Sequence, residues 1–405
     1  MRFDILYLES YLDCVNVPPR CPDSTSGERV SEPMASTARG SGQVRAAVVR
    51  KTGTIELEEI DRPRPGPGEV LVKVVATGVC HSDLSAFLGK VTVPLPVVLG
   101  HEGAGVVEEL GAGVDDLQPG DHVVMSITPG CGMCFQCQSG SFGLCERAAG
   151  RSIGGVLANG AIRLSKGDEQ LHHFLFQSSF AEYAVIARWS AVKIPSDLPL
   201  EVASLVACGV ITGYGAVARK AKVRLGESVL VIGVGGVGLS VIMTAAASGA
   251  TPIICADTKP EACALAMELG ATHTVVVGPD VDLSSMVMDL TGNGVDHAFD
   301  VVGTSSTITT AFKCLRPGGQ AVAIGLSEPT AEGSIPIQGL IKERRLTGTT
   351  NGSIRPQVDI PAVLRLYQEG RFPLDRLITR RYSLDGVADA LGDLEGGTGR
   401  GLIVF

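Results

Sequence analysis

The chain has 405 residues, 45% of them hydrophobic, with 34 Lys and Arg against 43 Asp and Glu for a net charge of -9. This length exceeds what one hydrophobic core usually serves, so two domains are expected. The negative charge, with no basic run interleaved with aromatic residues, argues against a nucleic-acid partner.

Residues 1–43 differ in composition from the remainder, being rich in Pro, Ser, Gly and Thr. This composition predicts a disordered extension, within which Met34 is an alternative translation start. The first residues lack an uninterrupted apolar core and a cleavage site, so secretion is not expected. The 11 cysteines are an odd number without a pairing pattern, which favours a reduced cytoplasm.

Regular structure is predicted to begin with strands over residues 44–49 and 69–76. Downstream, Cys131, Cys134, Cys137 and Cys145 form the pattern C-x2-C-x2-C-x7-C. Two disulfides or an iron-sulfur cluster are alternatives, but nothing favours oxidation and the iron-sulfur spacings differ. Four thiolates on one short loop suit tetrahedral Zn²⁺, so the pattern predicts a structural zinc site.

Residues 228–256 contain no charged residue or histidine and superficially suggest a membrane span. The glycines within them favour a buried strand over 229–232, a turn, and a buried helix over 239–247. The turn reads Gly233-Val234-Gly235-Gly236-Val237-Gly238, which matches G-x-G-x-x-G. Its glycines allow a tight turn and close approach of a pyrophosphate to a helix N-terminus.

A second apolar strand ends at Asp257, 19 residues beyond Gly238. A carboxylate there accepts hydrogen bonds from the ribose hydroxyls of NAD and repels the 2'-phosphate of NADP, so NAD is predicted. Further strands are predicted over 271–277, 295–302 and 320–325. Their alternation with helical stretches predicts an α/β fold with a doubly wound parallel sheet.

Cys80, His101, Glu102 and Cys208 are candidates for a second metal site. Two thiolates and an imidazole would leave one zinc position open. Each residue also has an ordinary interpretation, since an isolated cysteine is usually a small buried hydrophobe. Spacing in the sequence does not by itself show that residues so far apart meet in one site.

Five segments in order resemble the zinc-dependent medium-chain alcohol dehydrogenases: Cys80-His81-Ser82-Asp83, Gly100-His101-Glu102-Gly103, the four-cysteine lobe, Cys208-Gly209-Val210-Ile211-Thr212-Gly213 and the glycine turn. The resemblance covers residues 44–405. It implies a GroES-like, mainly-β catalytic domain with a zinc lobe over 44–209 and 350–405, and an NAD-binding Rossmann domain over 210–349. It also implies two zinc ions per subunit and a homodimer, without a membrane.

Residue roles are carried over position by position. The resemblance implies that Cys80, His101 and Cys208 bind the catalytic zinc with Glu102 nearby, that Asp83 orients His101, and that Ser82 and His81 serve in proton transfer. The cofactor-binding set is Gly233, Gly235, Gly236, Val237, Gly238, Asp257, Lys259, Thr212, His81 and Arg400. One departure is Ser85, where some relatives carry a histidine for the exit of the proton relay.

The expected activity is reversible hydride transfer between a primary aliphatic or aromatic alcohol and NAD. A thiol-adduct formaldehyde dehydrogenase is the alternative, although residues 87–96 lack the acidic side chains that such enzymes use there. A zinc-free quinone or enone reductase would lack the Cys80, His101 and Cys208 set. A catalytically silent NAD-binding regulatory protein would tolerate damage to these residues, and the only departure is Ser85.

Overall fold

The computed structural model describes residues 42–328, 330–394 and 396–405. The extension predicted over 1–43 and the alternative start at Met34 therefore lie almost entirely outside the described residues. Gln43 is described and opens the first strand, one residue before the predicted boundary.

Among the described residues, the first half of the chain forms a three-stranded and a two-stranded antiparallel sheet and contributes most strands of a seven-stranded sheet. The longest strand, β3, is buried along most of its length because most of its residues are Val, Leu or Ala. The strands are β1 (Gln43–Lys51), β2 (Thr54–Asp61), β3 (Glu69–Gly78), β4 (Val97–Val98), β5 (Glu102–Leu110), β6 (His122–Met125), β7 (Leu164–Lys166), β8 (Glu169–Leu171), β9 (Tyr183–Ala187) and β10 (Ala191–Lys193).

Four short helices lie between these strands or follow them: α1 (His81–Phe87), α2 (Phe135–Gln138), α3 (Leu200–Ser204) and α4 (Gly209–Gly215). One sheet has the order β2-β1-β4, and β7 pairs with β8. In the largest antiparallel arrangement β5 pairs with both β3 and β6, and β9 pairs with β3. The start of β5, which carries His101 and Glu102 at its edge, thus lies beside the end of β3.

The middle of the chain forms a six-stranded sheet in which every pairing is parallel. Its elements are β11 (Val229–Ile232), α5 (Gly236–Ala247), β12 (Ile253–Asp257), α6 (Pro260–Glu268), β13 (His273–Val276), α7 (Leu283–Thr291), β14 (Val295–Asp300), α8 (Ser305–Lys313), β15 (Leu315–Ala323), α9 (Ile337–Ile341) and β16 (Arg345–Gly348). The order β13-β12-β11-β14-β15-β16 is that of dinucleotide-binding sheets, with the switch point beside β11. The doubly wound prediction is confirmed.

The C-terminal part comprises α10 (Pro356–Gln368), β17 (Ile378–Tyr382), α11 (Val387–Gly392) and β18 (Arg400–Val404). β18 pairs antiparallel with β3 and parallel with β17, so the end of the chain returns to the first half. This return is what a catalytic domain split between 44–209 and 350–405 requires. The domain boundaries themselves stay a prediction.

The uncharged stretch 228–256 contains buried β11 and α5, as predicted, although the helix begins at Gly236 and not at 239. Among the described residues, no single helix has the length and apolar character needed to cross a membrane. One bent pair, Leu200–Ala207 with Gly209–Ala221, meets both criteria when its parts are joined; these ranges are α3 and α4 together with the 3-10 and π-helical turns that follow them.

Candidate functional site

The four-cysteine lobe brings its sulfur atoms together. The Sγ atoms of Cys131, Cys134, Cys137 and Cys145 all lie within 4.8 Å of one another. Two of the sulfur pairs, 131 with 137 and 134 with 145, are 4.0 Å apart. A zinc ion with four Zn–S bonds of about 2.3 Å needs sulfurs about 3.8 Å apart, so the lobe fits tetrahedral zinc.

A second cluster unites residues that are distant in sequence. One ligand atom from each of Cys80, His101, Glu102 and Cys208 lies within 4.8 Å of the others. Cys80 immediately precedes α1, His101 and Glu102 lie at the start of β5, and Cys208 immediately precedes α4. The pairing of β5 with β3 brings His101 and Glu102 beside Cys80, and the hydrogen bond from Gly209 to Glu102 holds Cys208 next to them.

The imidazole of His101 is held in one orientation by Asp83. Its Nδ1 lies 3.0 Å from Oδ1 of Asp83, and that carboxylate also accepts hydrogen bonds from the backbone N–H groups of Gly100 and Cys80. A carboxylate only accepts, so Nδ1 carries a proton, and Nε2 is the ring nitrogen left to bind a metal. Nε2 is buried and has no hydrogen-bond partner among the described residues. An unpartnered nitrogen aimed among thiols is a fitting donor for zinc.

The two thiols of this cluster influence each other. A hydrogen bond between them lowers the pKa of Cys80 and raises that of Cys208. Ionisation of Cys80 is therefore favoured, whereas ionisation of Cys208 as well needs additional positive charge. A divalent metal supplies that charge.

Glu102 is fully buried and engages two parts of the chain. Its Oε1 accepts a hydrogen bond of 3.0 Å from the backbone N–H of Gly209, and its Oε2 accepts one from the guanidinium of Arg400. Burial raises the pKa of Glu102, while the charge of Arg400 opposes that rise. The pKa of Arg400 is raised in spite of its burial because Glu102 faces it.

A buried segment, Phe174 to Phe180, forms one wall of the cluster. The ring of Phe174 meets that of His101 edge-on, with centroids 5.7 Å apart. The side chain of Gln177 accepts from the N–H of Gly103 and donates to the carbonyl of Met125. Leu175, Phe176 and Ser178 adopt left-handed backbone conformations. Because these are not glycines, the sequence gives no signal for this path.

The glycine turn has the geometry expected of a phosphate-binding loop. Gly233 has φ +88°, which a residue with a Cβ adopts only under strain. Helix α5 begins at Gly236 without a side-chain cap, which leaves its first-turn N–H groups for a ligand. Asp257 ends β12, and its oxygens accept from the N–H groups of Val234 and Lys259.

The other predicted cofactor residues lie around this turn. Thr212 is buried in α4, and Val237 lies half-buried in the first turn of α5. A Cβ at Gly213 would lie 2.8 Å from the carbonyl oxygen of Val237, so the two helices are in close contact there. Thr212 and Val237 thus share one region, at the carboxyl edge of the parallel sheet.

A cavity of about 170 Å³ lies beside the turn, lined in part by His81, Gly235, Gly236 and Arg400. A Cβ at Gly236 would lie 2.5 Å from Cδ of Arg400, so the arginine stem rests against the turn while its guanidinium contacts Glu102. The sequence motifs did not indicate this Glu102 contact, nor did they indicate Arg380 and Asp393, which also line the cavity.

Comparison with known proteins agrees with this arrangement. A family model described as "Alcohol dehydrogenase GroES-like domain" matches residues 66–196, and one described as "Zinc-binding dehydrogenase" matches 236–369. An NDMA-dependent alcohol dehydrogenase of Amycolatopsis methanolica is 39% identical over 370 residues, which span 89% of this chain and 99% of the relative. The chain belongs to the zinc-dependent medium-chain alcohol dehydrogenase family.

Other members of the family are similar along most of their length. An S-(hydroxymethyl)glutathione dehydrogenase of Synechocystis is 38% identical, covering 85% of this chain and 95% of the relative. The crystal structure of benzyl alcohol dehydrogenase from Acinetobacter calcoaceticus has a TM-score of 0.85 at 35% identity, covering 90% of this chain and 99% of that one.

Membership confirms the predicted GroES-like and Rossmann folds and the assignment as an oxidoreductase that acts on CH–OH donors. The enzyme is a zinc-binding dehydrogenase, and NAD is the cofactor typical of this alcohol dehydrogenase family. The roles of the individual site residues stay predictions, which the geometry above makes specific.

Proposed function

We propose that this alcohol dehydrogenase interconverts primary aliphatic or aromatic alcohols and their aldehydes with NAD, using the second cluster as its reaction centre. The observation that carries the proposal is the position of Arg400. One side chain contacts Glu102 of the cluster and also the glycine turn, so the metal-binding donors and the dinucleotide site lie within one arginine length of each other.

The two clusters of thiol, imidazole and carboxylate groups are the proposed zinc sites. Cys80, His101 and Cys208 would hold the catalytic zinc, with Glu102 beside it, and the four-cysteine lobe would hold the structural zinc. When bound, the catalytic zinc supplies polarisation of the alcohol oxygen and NAD supplies the hydride acceptor.

The chain's own residues supply orientation, exclusion of water and a proton acceptor. Asp83 fixes the proton of His101 on Nδ1, which keeps Nε2 as a donor of electrons. The ring of Phe174 covers His101 and keeps water from that side. Ser82, half-exposed in the first turn of α1, accepts the alcohol proton at Oγ as its own hydroxyl proton passes on, so that it remains neutral. The proton then leaves through water or through His81, which lines the cavity, because Ser85 offers no titratable group.

Asp257 supports NAD as the partner in preference to NADP. Two backbone N–H groups hold its carboxylate at the end of β12, the chain position at which dinucleotide-binding folds carry the acidic residue that binds the ribose of NAD. A negative charge fixed at this position repels a 2'-phosphate. Replacement of Asp257 by Ser should therefore raise the relative activity with NADP.

A thiol adduct of formaldehyde is the second candidate substrate, because S-(hydroxymethyl)glutathione dehydrogenases are among the relatives. The segment Phe87 to Pro96 carries no acidic side chain that would recognise the amino group of glutathione. The similarity to a benzyl alcohol dehydrogenase supports an uncharged, aromatic-tolerant site instead.

We also propose a homodimer that functions in the cytoplasm. β16 lies at one end of the parallel sheet, and its outer edge pairs with no other strand in the part of the chain that the structure describes. Exposed apolar side chains surround it: Leu326, Ile337, Ile341 and Leu346. An exposed strand edge beside apolar residues favours pairing with a second copy. Light scattering of the purified protein would contradict this if it gave the mass of one chain.

The test of function is NADH formation at 340 nm with a panel of aliphatic and aromatic alcohols and with S-(hydroxymethyl)glutathione, beside zinc quantitation. The wild type should contain about two zinc ions per chain, and Cys208→Ala should retain the structural one without activity. A metal-replete enzyme that binds NAD but converts none of these substrates in either direction would refute the proposal.

A further inference from the structure

The cavity beside the glycine turn contains an arginine that no motif indicated. Arg380 lies on β17 and lines the cavity together with Gly235, Gly236 and Arg400. Successive strand residues face opposite sides. Accordingly Arg381 points away and pairs with Glu201, its Nε lying 2.7 Å from Oε2 of that residue. Two adjacent arginines therefore have different surroundings, and only one faces the turn.

A pyrophosphate in this cavity needs more positive charge than Arg400 supplies. The group carries two negative charges, and the N–H groups at the start of α5 provide only partial ones. The guanidinium of Arg400 is already in contact with the buried carboxyl group of Glu102. Among the described residues that line the cavity, the other arginine is Arg380.

Arg380 can bind a phosphate because its present ion-pair partner, Asp393, is accessible to solvent. Its NH1 lies 2.5 Å from Oδ2 of Asp393, and both side chains are about half exposed, at 53% and 46%. Ion pairs in such surroundings are weak and exchange readily. The hydroxyl of Tyr382 also donates to Oδ2 of Asp393, at 2.6 Å. If Arg380 leaves, the carboxylate thus keeps a hydrogen-bond donor.

We propose that Arg380 is a second cationic ligand of the cofactor's pyrophosphate and that it exchanges Asp393 for the phosphate oxygens when the cofactor binds. The inference rests on the proposed use of a dinucleotide at this turn. It adds one residue to the cofactor-binding site. It also means that Asp393 weakens cofactor binding, because Asp393 competes with the cofactor for the guanidinium of Arg380.

The experiment measures binding of NADH, ADP-ribose and adenosine to the full-length zinc-loaded enzyme by calorimetry. Arg380→Gln should weaken binding of NADH and ADP-ribose about tenfold and reduce the salt dependence of both. Arg380→Lys should restore most of the affinity, because a point charge still reaches the phosphates. Arg381→Gln is the matched control and should bind all three ligands like the wild type.

Asp393→Asn should tighten binding of ADP-ribose a few-fold, since it frees Arg380. Adenosine, which lacks phosphate, should bind equally to every variant. The inference is overturned if Arg380→Gln binds ADP-ribose like the wild type, if its loss extends equally to adenosine, or if the wild type does not bind ADP-ribose. Alcohol oxidation by the wild type separately tests the proposed function, so the two failures are distinguishable.

Discussion

Mild acid should destabilise this enzyme through His173, a buried histidine held neutral by its surroundings. The residue is 1% exposed, and its Nε2 accepts a hydrogen bond of 3.1 Å from the N–H of Arg163. A proton on Nε2 would face that N–H, donor against donor. Burial is the main reason that the pKa of His173 falls from 6.5 to about 3, with smaller contributions from the charges of His172 and Arg163.

The sign and size of the effect follow from proton binding. Below pH 6.5 the unfolded chain binds a proton at this residue, whereas the folded chain does not until about pH 3. The free energy of unfolding therefore falls as the pH falls through this window, by about 1.4 kcal/mol per pH unit. Between about pH 7.5 and pH 5 the loss is about 2 kcal/mol.

The assay is urea unfolding followed by circular dichroism across this pH range, for the wild type and for His173→Gln. The glutamine can still accept from Arg163, but it does not titrate. The variant should lose about 2 kcal/mol less than the wild type. His273→Gln, at an exposed histidine, is the control and should follow the wild type. Parallel losses in wild type and His173→Gln would refute the argument, since acid effects on the metal ligands are common to both.

Three further outcomes are expected. Asp83→Asn should lower zinc affinity and activity about 10- to 100-fold, and metal titration would show it. The neutral amide accepts the Nδ1 proton of His101 more weakly, and its NH2 group would face a backbone N–H that the carboxylate now accepts. Cys145→Ser should reduce the zinc content from about two to about one per chain and lower the thermal midpoint, measured by elemental analysis and calorimetry. Gly352→Ala should destabilise the fold by about 1 to 3 kcal/mol, because φ is +70° and the added Cβ would lie 2.6 Å from the carbonyl of Thr212; an unchanged denaturation midpoint would contradict this.

The parallel sheet was predictable because its strands are short apolar runs, each bounded by a turn or a helix. Val229–Ile232 and the turn after it carry the pattern locally, since glycine spacing is itself the requirement for phosphate approach. The four-cysteine lobe was predictable for the same reason, because all its donors belong to one loop. The helix start at Gly236 was missed because glycine is a poor helix former.

Features built from distant residues were not predictable from spacing. The Cys80 and Cys208 cluster needed resemblance to a family, since 128 residues separate the two. No residue pattern marks the hydrogen bond from Asn351 to Thr128, which joins the segment after β16 to the loop after β6. The left-handed conformations at Leu175, Phe176 and Ser178 are imposed by tertiary packing, against the local preference of those residues.

The shared contact of Arg400 has a thermodynamic consequence. Its guanidinium contacts Glu102 in the second cluster, and its stem lies against the glycine turn. Events at either end are therefore connected through one side chain. If cofactor binding changes the zinc affinity by some factor, zinc binding must change the cofactor affinity by the same factor. This holds because the free enzyme, the two singly bound forms and the doubly bound form make a closed thermodynamic cycle. Cofactor retention would then report on metal loading, and measurements of one affinity need the other ligand's concentration fixed.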